Sequence, residues 1–126
     1  MQDLALFSIA SQRTGWLAAR GAALANNIAN ADTPGFKARD VARFDSALAT
    51  AGLQMSRTSS GHLAPAEAGS RTFDTVLRPS ETSKYSGNTV NLETELIGLG
   101  DVRSQHSTVT GVVGAFHRLL LSAAKG

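Results

Sequence analysis

Three carboxamide side chains fall close together in the run Asn26-Asn27-Ile28-Ala29-Asn30. Asparagine is a mediocre helix former because its side chain competes with the backbone for hydrogen bonds, so this cluster indicates amides that bond specific partners. Asn27 and Asn30 are three residues apart and Asn26 and Asn30 four apart, which lets the amides share one side of a helix. Each amide offers N–H donors and an oxygen acceptor. We expect this chemistry to fix register against neighbouring backbones or amides; local helix capping is the alternative.

Proline and glycine stop this helical pattern. Pro34 lacks a backbone N–H and disfavours the α region for the residue before it, while Pro34-Gly35 supplies the fixed φ and the positive φ of a type II turn. The first helix is therefore predicted to end near Ala31 to Asp32. The turn that follows comprises Thr33, Pro34, Gly35 and Phe36.

No group of residues in the sequence predicts catalysis. His106 and His117 are eleven residues apart, about three helical turns, so they lie near one face, whereas His62 falls in a predicted loop. A zinc site needs further ligands at suitable spacing, which favours packed or interfacial histidines. The serines and threonines lack a nucleophile-elbow setting, and the glycine-rich stretches do not form a phosphate-binding loop. We therefore predict a protein that is not an enzyme and holds no metal or cofactor.

Charged residues of both signs cluster just beyond the first helix. Complementary pairs in such a cluster could fix the register of one subunit on the next, and a solvated loop is the alternative. Asp32 lies where the helix dipole disfavours a negative charge, which predicts a partner or an Asx-turn for its carboxylate. The cluster consists of Asp32, Lys37, Arg39, Asp40 and Arg43.

The composition allows one domain but supplies few large core residues. The chain has 126 residues, of which 42% are apolar but only 6% aromatic, and it contains 12 glycines. Few large side chains are available to offset the entropy of ordering such a chain. Stability is therefore expected to depend on partners.

Charge and cysteine content exclude several classes of protein. The net charge is +2 and no block of lysine or arginine is long enough to follow a phosphate backbone, so nucleic acid is not a predicted partner. The absence of cysteine excludes a disulfide framework and thiolate metal sites. The N-terminal region lacks the parts of a secretory signal, and no apolar run approaches about 18 residues, so neither Sec export nor a membrane span is predicted.

Both ends of the chain carry the spacing of a long amphipathic helix. Apolar and small residues recur at alternating intervals of three and four, which predicts helices from about Asp3 to Ala31 and from about Leu92 to Ala124. Asn91 is the predicted N-cap of the second helix. The first stripe consists of Phe7, Ala10, Thr14, Leu17, Gly21, Leu24, Ile28 and Ala31, and the second of Leu99, Val102, His106, Val109, Val113, Phe116, Leu120 and Ala123.

The predicted second helix contains four glycines, Gly98, Gly100, Gly111 and Gly114. Each costs up to about 1 kcal/mol relative to alanine in a helix interior. Because glycine lets backbones approach closely, we interpret these positions as contact points with neighbouring helices. A merely poor helix is the alternative.

The segment between the helices shows only weak indications of secondary structure. It is rich in alanine, glycine, serine and threonine and has only scattered large apolar residues, so an irregular segment is expected. Thr72 to Leu77 could pair as a short strand, and Ser86-Gly87-Asn88 has the composition of a turn.

Two nearby runs of this sequence resemble the N-terminal signature of flagellar rod, hook and hook-associated proteins. That signature reads roughly N-N-x-A-N-x-x-T-x-G-[FY]. The two runs are Asn26-Asn27-Ile28-Ala29-Asn30 and Thr33-Pro34-Gly35-Phe36-Lys37. The continuation to Asp40, the segment Gly87 to Leu92 and the short length most resemble the proximal rod members of the flagellar basal body rod protein family. The similarity covers both ends of the chain and leaves the middle undetermined.

The resemblance implies a mainly α fold in which the two long terminal helices pack as an antiparallel coiled-coil-like hairpin. An irregular middle segment rich in Gly, Ser and Thr, with room for short β pairing, would join them. The three regions are 1–33, 34–90 and 91–126. The implied function is that of a structural subunit of the proximal rod, polymerising through its terminal helices to connect the membrane-embedded base and export gate to the rest of the rod.

The implied partners are other copies of the chain, other rod proteins, MS-ring or export-gate components of the base, and the type III export apparatus. The implied location is the periplasmic rod of the basal body, reached without a cleaved signal peptide. A cytoplasmic coiled-coil adaptor or export chaperone is the alternative, although it would need neither the asparagines nor the turn. The expected assembly contacts are Leu17, Gly21, Leu24, Asn26, Asn27, Ile28, Asn30, Asp32, Lys37, Arg39, Val109, Val113, Phe116 and Leu120.

Overall fold

A computed structural model describes residues 2–51, 73–79 and 83–125. The fold is mainly helical, with two long terminal helices and a short two-stranded sheet between them. His62 and most of the predicted irregular segment lie outside the described residues. The elements are α1 (Gln2–Ala29), β1 (Arg39–Val41), α2 (Phe44–Ala51), β2 (Thr75–Leu77) and α3 (Leu92–Lys125).

Helix α1 ends slightly earlier than predicted, at Ala29. The backbone tightens there, because the amide of Ala31 bonds the carbonyl of Ile28, three residues back, at 3.1 Å. The predicted turn follows: Gly35 has a φ of 72° and the amide of Phe36 bonds the carbonyl of Thr33 at 3.2 Å. The chain reverses at this point and leads into β1.

Helix α3 is continuous over 34 residues despite its glycines. Asn91 caps it as predicted, since its Oδ1 accepts the backbone N–H of Glu93 at 3.0 Å. Acidic residues in the first turn and Lys125 in the last complement the helix dipole. The cap and the terminal charges act on residues within one turn of the helix end, so the sequence alone could predict them.

Helices α1 and α3 pack antiparallel, as the predicted hairpin requires. From the termini towards the turn, the residue numbers of the contact partners rise along α1 and fall along α3. The facing pairs are Phe7 with Phe116, Arg13 with Gln105, Gly21 with Val102, Leu24 with Gly98, and Asn27 with Glu95.

The middle of the chain contributes a small antiparallel sheet. In the register of β1 on β2, Asp40 lies opposite Val76. The predicted pairing within Thr72 to Leu77 is thus found at Thr75–Leu77, whereas β1 and α2 were not predicted. Elements of three and eight residues are too short to display a reliable hydrophobic period.

Among the described residues, the core consists of two small clusters, one at the middle of α1 and one at the turn. Trp16, Leu17 and Val41 form one, and half-buried side chains such as Phe44 and Phe73 pack against it. The other cluster comprises Ala31, Ala38 and Val90, with Phe36 against it. Among the described residues, no helix combines the length and the apolar character needed to cross a membrane.

Candidate assembly surface

Asn27 lies at the centre of the hairpin's buried polar contacts. Its side chain is 0% exposed, and its Nδ2 donates to the carbonyl of Arg39 at 2.7 Å and to Oε2 of Glu95 at 3.0 Å. Its Oδ1 accepts the backbone N–H of Arg39 at 3.0 Å. One amide therefore joins α1, β1 and α3, and its hydrogen bonds stay within the chain.

Glu95 continues this contact into a chain of charges. Only 1% exposed, it pairs with Nη1 of Arg78, whose Nη2 lies 3.1 Å from Oδ2 of Asp40. The Nε of Arg20 lies 3.2 Å from the other oxygen of Asp40. A buried carboxylate is tolerated only when its oxygens are paired and hydrogen bonded, and Arg78 and Asn27 together do this for Glu95.

This polar network has a structural consequence for the middle segment. Arg78 follows β2 directly, so its two ion pairs attach that strand to α3 and to β1. No buried side-chain nitrogen or oxygen of the described residues lacks a hydrogen-bond partner. The network therefore determines how the short sheet sits on the helix pair.

Trp16, at the middle of α1, anchors the segment after β1 through its ring and its N–H. Its Nε1 donates to the carbonyl of Ala42 at 2.7 Å, and its ring lies edge-on to Phe44 at 5.9 Å. The guanidinium of Arg13 lies over both rings, 4.6 Å from the centroid of Trp16. Together these contacts place α2 beside α1.

Asn88 joins the Pro34-Gly35 turn to the segment before α3. The buried amide donates to the carbonyls of Asn30 and Thr33 at 2.9 and 2.7 Å. Gly87, at a φ of 78°, ends a turn closed by its N–H on the carbonyl of Lys84, slightly earlier than the predicted turn at Ser86 to Asn88. A Cβ on Gly87 would lie 3.6 Å from the Cα of Gly35, so the two turns pack backbone to backbone.

The three asparagines of the signature have different surroundings, which corrects the expectation of a common role. Asn27 is buried within the chain, whereas the Nδ2 of Asn30 donates to the carbonyl of Asn26, at the end of its own helix. The alternative of local capping thus describes Asn30. The side chain of Asn26 is exposed. The carboxylate of Asp32 is also exposed and bonds no described residue, contrary to the predicted partner or Asx-turn.

The predicted assembly contacts divide by exposure. Those in the hairpin interface are buried or half-buried in the chain itself, and those near the turn face outward. The buried ones are Leu17, Leu24 and Asn27; the half-buried ones are Gly21, Ile28, Asn30, Val109, Val113, Phe116 and Leu120; the exposed ones are Asn26, Asp32, Lys37 and Arg39. In the predicted turn, Phe36 is half-buried and Thr33, Pro34 and Gly35 are exposed.

The predicted charge cluster also divides. Asp40 belongs to the polar network, and the exposed Arg43 pairs with Asp45 at 3.3 Å. The Nζ of Lys37 donates to the carbonyl of Gly87 at 3.0 Å. The guanidinium of Arg39 faces outward. Only part of this cluster is therefore available to bind a neighbouring protein.

Helix α3 carries much of the exposed apolar surface. Leu96 and Ile97, near its start, are 59% and 62% exposed. Apolar surface of this kind on a long helix is typical of a face that another helix covers. The exposed large apolar residues of α3 are Leu92, Leu96, Ile97, Val112, Leu119 and Leu121.

A groove of about 880 Å³ runs between α1 and α3 further along the hairpin. Ala18 and Gly21 line it from α1, and Gly111 and Gly114 line it from α3. His106 also lines it and is exposed, as is His117. Within the described ranges, no three residues of the metal-ligating types His, Cys, Asp and Glu lie close enough together to hold a metal ion.

Sequence reasoning missed most of the buried polar contacts. For Glu95 the sequence predicts only the favourable dipole interaction of an acidic residue in the first turn of a helix, although the residue is buried. For Asn88 it predicts only a place in a turn, and for Arg78 no role. The sequence contained one indication that Asn88 matters: it lies in the segment Gly87 to Leu92 that carries part of the resemblance. Nothing local to Arg78 indicates that its partners are Asp40 and Glu95.

Comparison with known proteins identifies relatives over the whole chain. A family model described as "Flagella basal body rod protein" matches residues 17–37, which include the asparagines and the turn. The chain is 33% identical to flagellar basal body rod protein FlgB of Agrobacterium fabrum, over 99% of this chain and 96% of the relative. It is 31% identical to the FlgB of Salmonella typhimurium, over 82% of this chain and 80% of the relative. The FlgB of Aeromonas hydrophila is 39% identical, over 60% and 59% of the two chains.

Proposed function

Since the chain belongs to the FlgB family of flagellar basal body rod proteins, we propose that it forms part of the proximal rod and polymerises there through its terminal helices. The family assignment confirms the resemblance carried by Asn26 to Lys37. The chain is a structural subunit of the flagellar basal body rod. Its position within the rod and its mode of contact are the parts that we propose.

The exposed apolar surface of α3 is the observation that supports polymerisation most directly. Leu96, Ile97 and Leu119 are each more than half exposed on a helix whose opposite face packs on α1. Covering a large aliphatic side chain contributes about 1.5 to 3 kcal/mol. A subunit in a tubular assembly would bury these residues against its neighbours.

The exposed residues around the turn would provide register. Asp32 faces outward at the Pro34-Gly35 turn that Asn88 holds, and Asn26 and Arg39 face outward on α1 and β1 on either side of it. Polar and charged groups on a rigid element favour one alignment of neighbours over others. We therefore propose this end of the hairpin as the part that sets the position of the next subunit, with the apolar faces supplying the association energy.

The remaining features of the proposal follow from a role in the rod. The partners would be further copies, other rod proteins and components of the base and export gate, and the chain would reach the periplasmic rod through the type III export apparatus without a cleaved signal peptide. Its role would be mechanical, not enzymatic. A cytoplasmic adaptor or export chaperone, the alternative, would keep the chain out of the rod.

Deletion and complementation test this function. Cells that lack the gene are expected to be non-motile and to assemble no rod above the base, and the restored gene should return both motility and rods. The chain should then be detected by mass spectrometry in isolated basal bodies; an empty vector serves as control. Complete rods in the deletion strain, or a chain confined to the cytoplasmic fraction, would favour the adaptor instead.

A further inference from the structure

A pocket of about 300 Å³ lies beside the middle of α1, lined by residues of α1, β1, α2 and α3. Arg13, Trp16 and Arg20 of α1 form one part of its wall. Phe44, at the start of α2, and Gln105 of α3 also line it. Cationic and aromatic side chains therefore share one small cavity.

The positive charges that line this pocket exceed the negative charges by one. Arg20 belongs to the polar network, in which two arginines balance two carboxylates. The exposed Arg43 pairs with Asp45 at 3.3 Å. Arg13 has no carboxylate partner among the described residues, so the surplus charge is its own. The charged residues of the lining are Arg13, Arg20, Arg43, Asp40 and Asp45.

Two aromatic rings hold the half-buried guanidinium of Arg13 in place. Its Cζ lies 4.6 Å from the ring centroid of Trp16 and 4.7 Å from that of Phe44, and its Nη2 donates to Oε1 of Gln105. A guanidinium that stacks on aromatic rings can still use its five in-plane N–H groups as donors. Because the side chain is already ordered, binding a ligand costs little further conformational entropy.

A carboxylate matches this site in shape and in charge. The planar guanidinium can bind a planar carboxylate through two parallel hydrogen bonds. A single carboxylate also balances the single surplus charge. A phosphate group carries a charge of about −1.5 to −2, and Asp40 and Asp45 in the wall would repel it more strongly.

We propose that this pocket binds the carboxylate of a glutamate or aspartate side chain from a different protein, with Arg13 as its main contact. Its volume of about 300 Å³ is at the lower end of small-molecule sites and gives room for an inserted side chain. The chain itself has a net charge of +2, so a segment of net negative charge matches the pocket better than a second copy does. The pocket is separate from the exposed apolar residues of α3 on which the proposed function rests.

Tryptophan fluorescence of the purified chain tests the site directly, because the only tryptophan of the sequence lines the pocket. The probe is an acetylated and amidated peptide of three glutamates, added at low ionic strength, where charge pairs are least screened. This peptide should change the emission of Trp16 saturably, and the matching peptide of three glutamines should not. The absence of a saturable change with the glutamate peptide would overturn the inference.

Substitution of Arg13 tests whether the pocket is responsible. Arg13→Gln should weaken binding of the glutamate peptide at least about tenfold, because it removes the charge and the paired N–H donors. Arg13→Lys keeps a cation beside the rings but loses the planar pair of donors, so it should weaken binding by a smaller factor. Far-ultraviolet circular dichroism shows whether each variant folds. If Arg13→Gln does not fold, Arg13→Lys decides, and unchanged binding by that variant contradicts the paired contact.

Arg103 provides the matched control for the loss of charge. It is exposed on α3 and lies outside this pocket. Arg103→Gln removes the same charge as Arg13→Gln, yet it should change binding of the glutamate peptide by less than about twofold. Equal weakening by the two variants would show that net charge alone attracts the peptide, and the pocket would then have no specific role.

Two further measurements identify the source of the carboxylate. Free glutarate should bind at least about tenfold more weakly than the glutamate peptide, because it makes no contacts beyond the pocket. Equal affinities would assign the pocket to small acids and overturn the assignment to a protein segment. Sedimentation equilibrium supplies the other measurement: a dimer that Arg13→Gln dissociates would make a second copy the donor and overturn the choice of partner. None of these results bears on the rod function, which motility and basal-body composition test separately.

Discussion

Asn27 shows how one side chain can organise a junction of three elements. Its amide donates to a backbone carbonyl and to the carboxylate of Glu95 while its oxygen accepts the N–H of Arg39. Only a carboxamide both donates and accepts in this way: aspartate cannot donate, and it would place a second negative charge beside Glu95. The residue type follows from these three bonds.

Replacement of Asn27 should therefore affect the fold of the free chain. Asn27→Ala is expected to lower the free energy of unfolding by about 3 kcal/mol, because the backbone N–H and carbonyl of Arg39 and the Oε2 of Glu95 lose their bonds to the amide. Asn27→Asp should cost at least as much. Urea denaturation followed by far-ultraviolet circular dichroism measures the difference.

The neighbouring asparagine provides the control for this prediction. Asn26 is exposed, so Asn26→Ala should change the stability by no more than about 0.5 kcal/mol. Equal stability of the two alanine variants would show that the buried amide contributes nothing.

At the scale of elements, the glycines of α3 have distinct surroundings. A Cβ on Gly98 would lie 3.1 Å from the Cδ1 of Leu24, so this glycine lets α1 and α3 approach closely, as interpreted from the sequence. Gly100 and Gly111 have no other atom within 4 Å of such a Cβ. Their helix is long and continuous because packing on α1 compensates for weak intrinsic propensity.

Substitutions at two of these glycines should have opposite effects on stability. Gly98→Val is expected to destabilise the chain by about 2 kcal/mol, because the added methyl groups meet Leu24. Gly100→Ala should stabilise it by about 0.5 to 1 kcal/mol, because alanine favours the helix and has open space. Chemical denaturation of the two variants provides the measurement, and destabilisation by Gly100→Ala would contradict the open space at that position.

At the scale of the whole molecule, packing is concentrated at the turn end of the hairpin. The buried side chains of α1 and α3, including Leu24, Asn27 and Glu95, lie towards that end, and no residue of α3 after Gly98 is buried. The terminal end is held by half-buried contacts such as the edge-on rings of Phe7 and Phe116, with centroids 5.8 Å apart. The subunit is thus firm at one end and incompletely packed at the other, which suits completion by neighbours.

Hydrogen exchange should reveal this gradient in the free chain. Backbone amides in residues 95–105 of α3 are expected to exchange at least about tenfold more slowly than those in residues 112–122, because local opening is easier where few apolar contacts are broken. The difference should diminish in assembled basal bodies. Uniform protection along α3 in the free chain would contradict this account.

Sequence patterns predicted the features that depend on neighbouring residues. Helical periodicity located α1 and α3, Pro34-Gly35 located the turn, and Asn91 located the cap of α3. Each signal acts within a few residues, so a single stretch of chain contains it completely. The same stretch of asparagines and turn carried the family resemblance.

Contacts between residues distant in the chain depend on how the elements pack. Asn27 and Glu95 are 68 residues apart in the chain and Arg78 and Glu95 are 17 apart, and no local pattern pairs them. The short strands, the polar network and the groove arise only when α1 and α3 align and exclude water between them. That alignment placed the amide of Asn27 inside the subunit and left apolar side chains exposed on the outer face of α3.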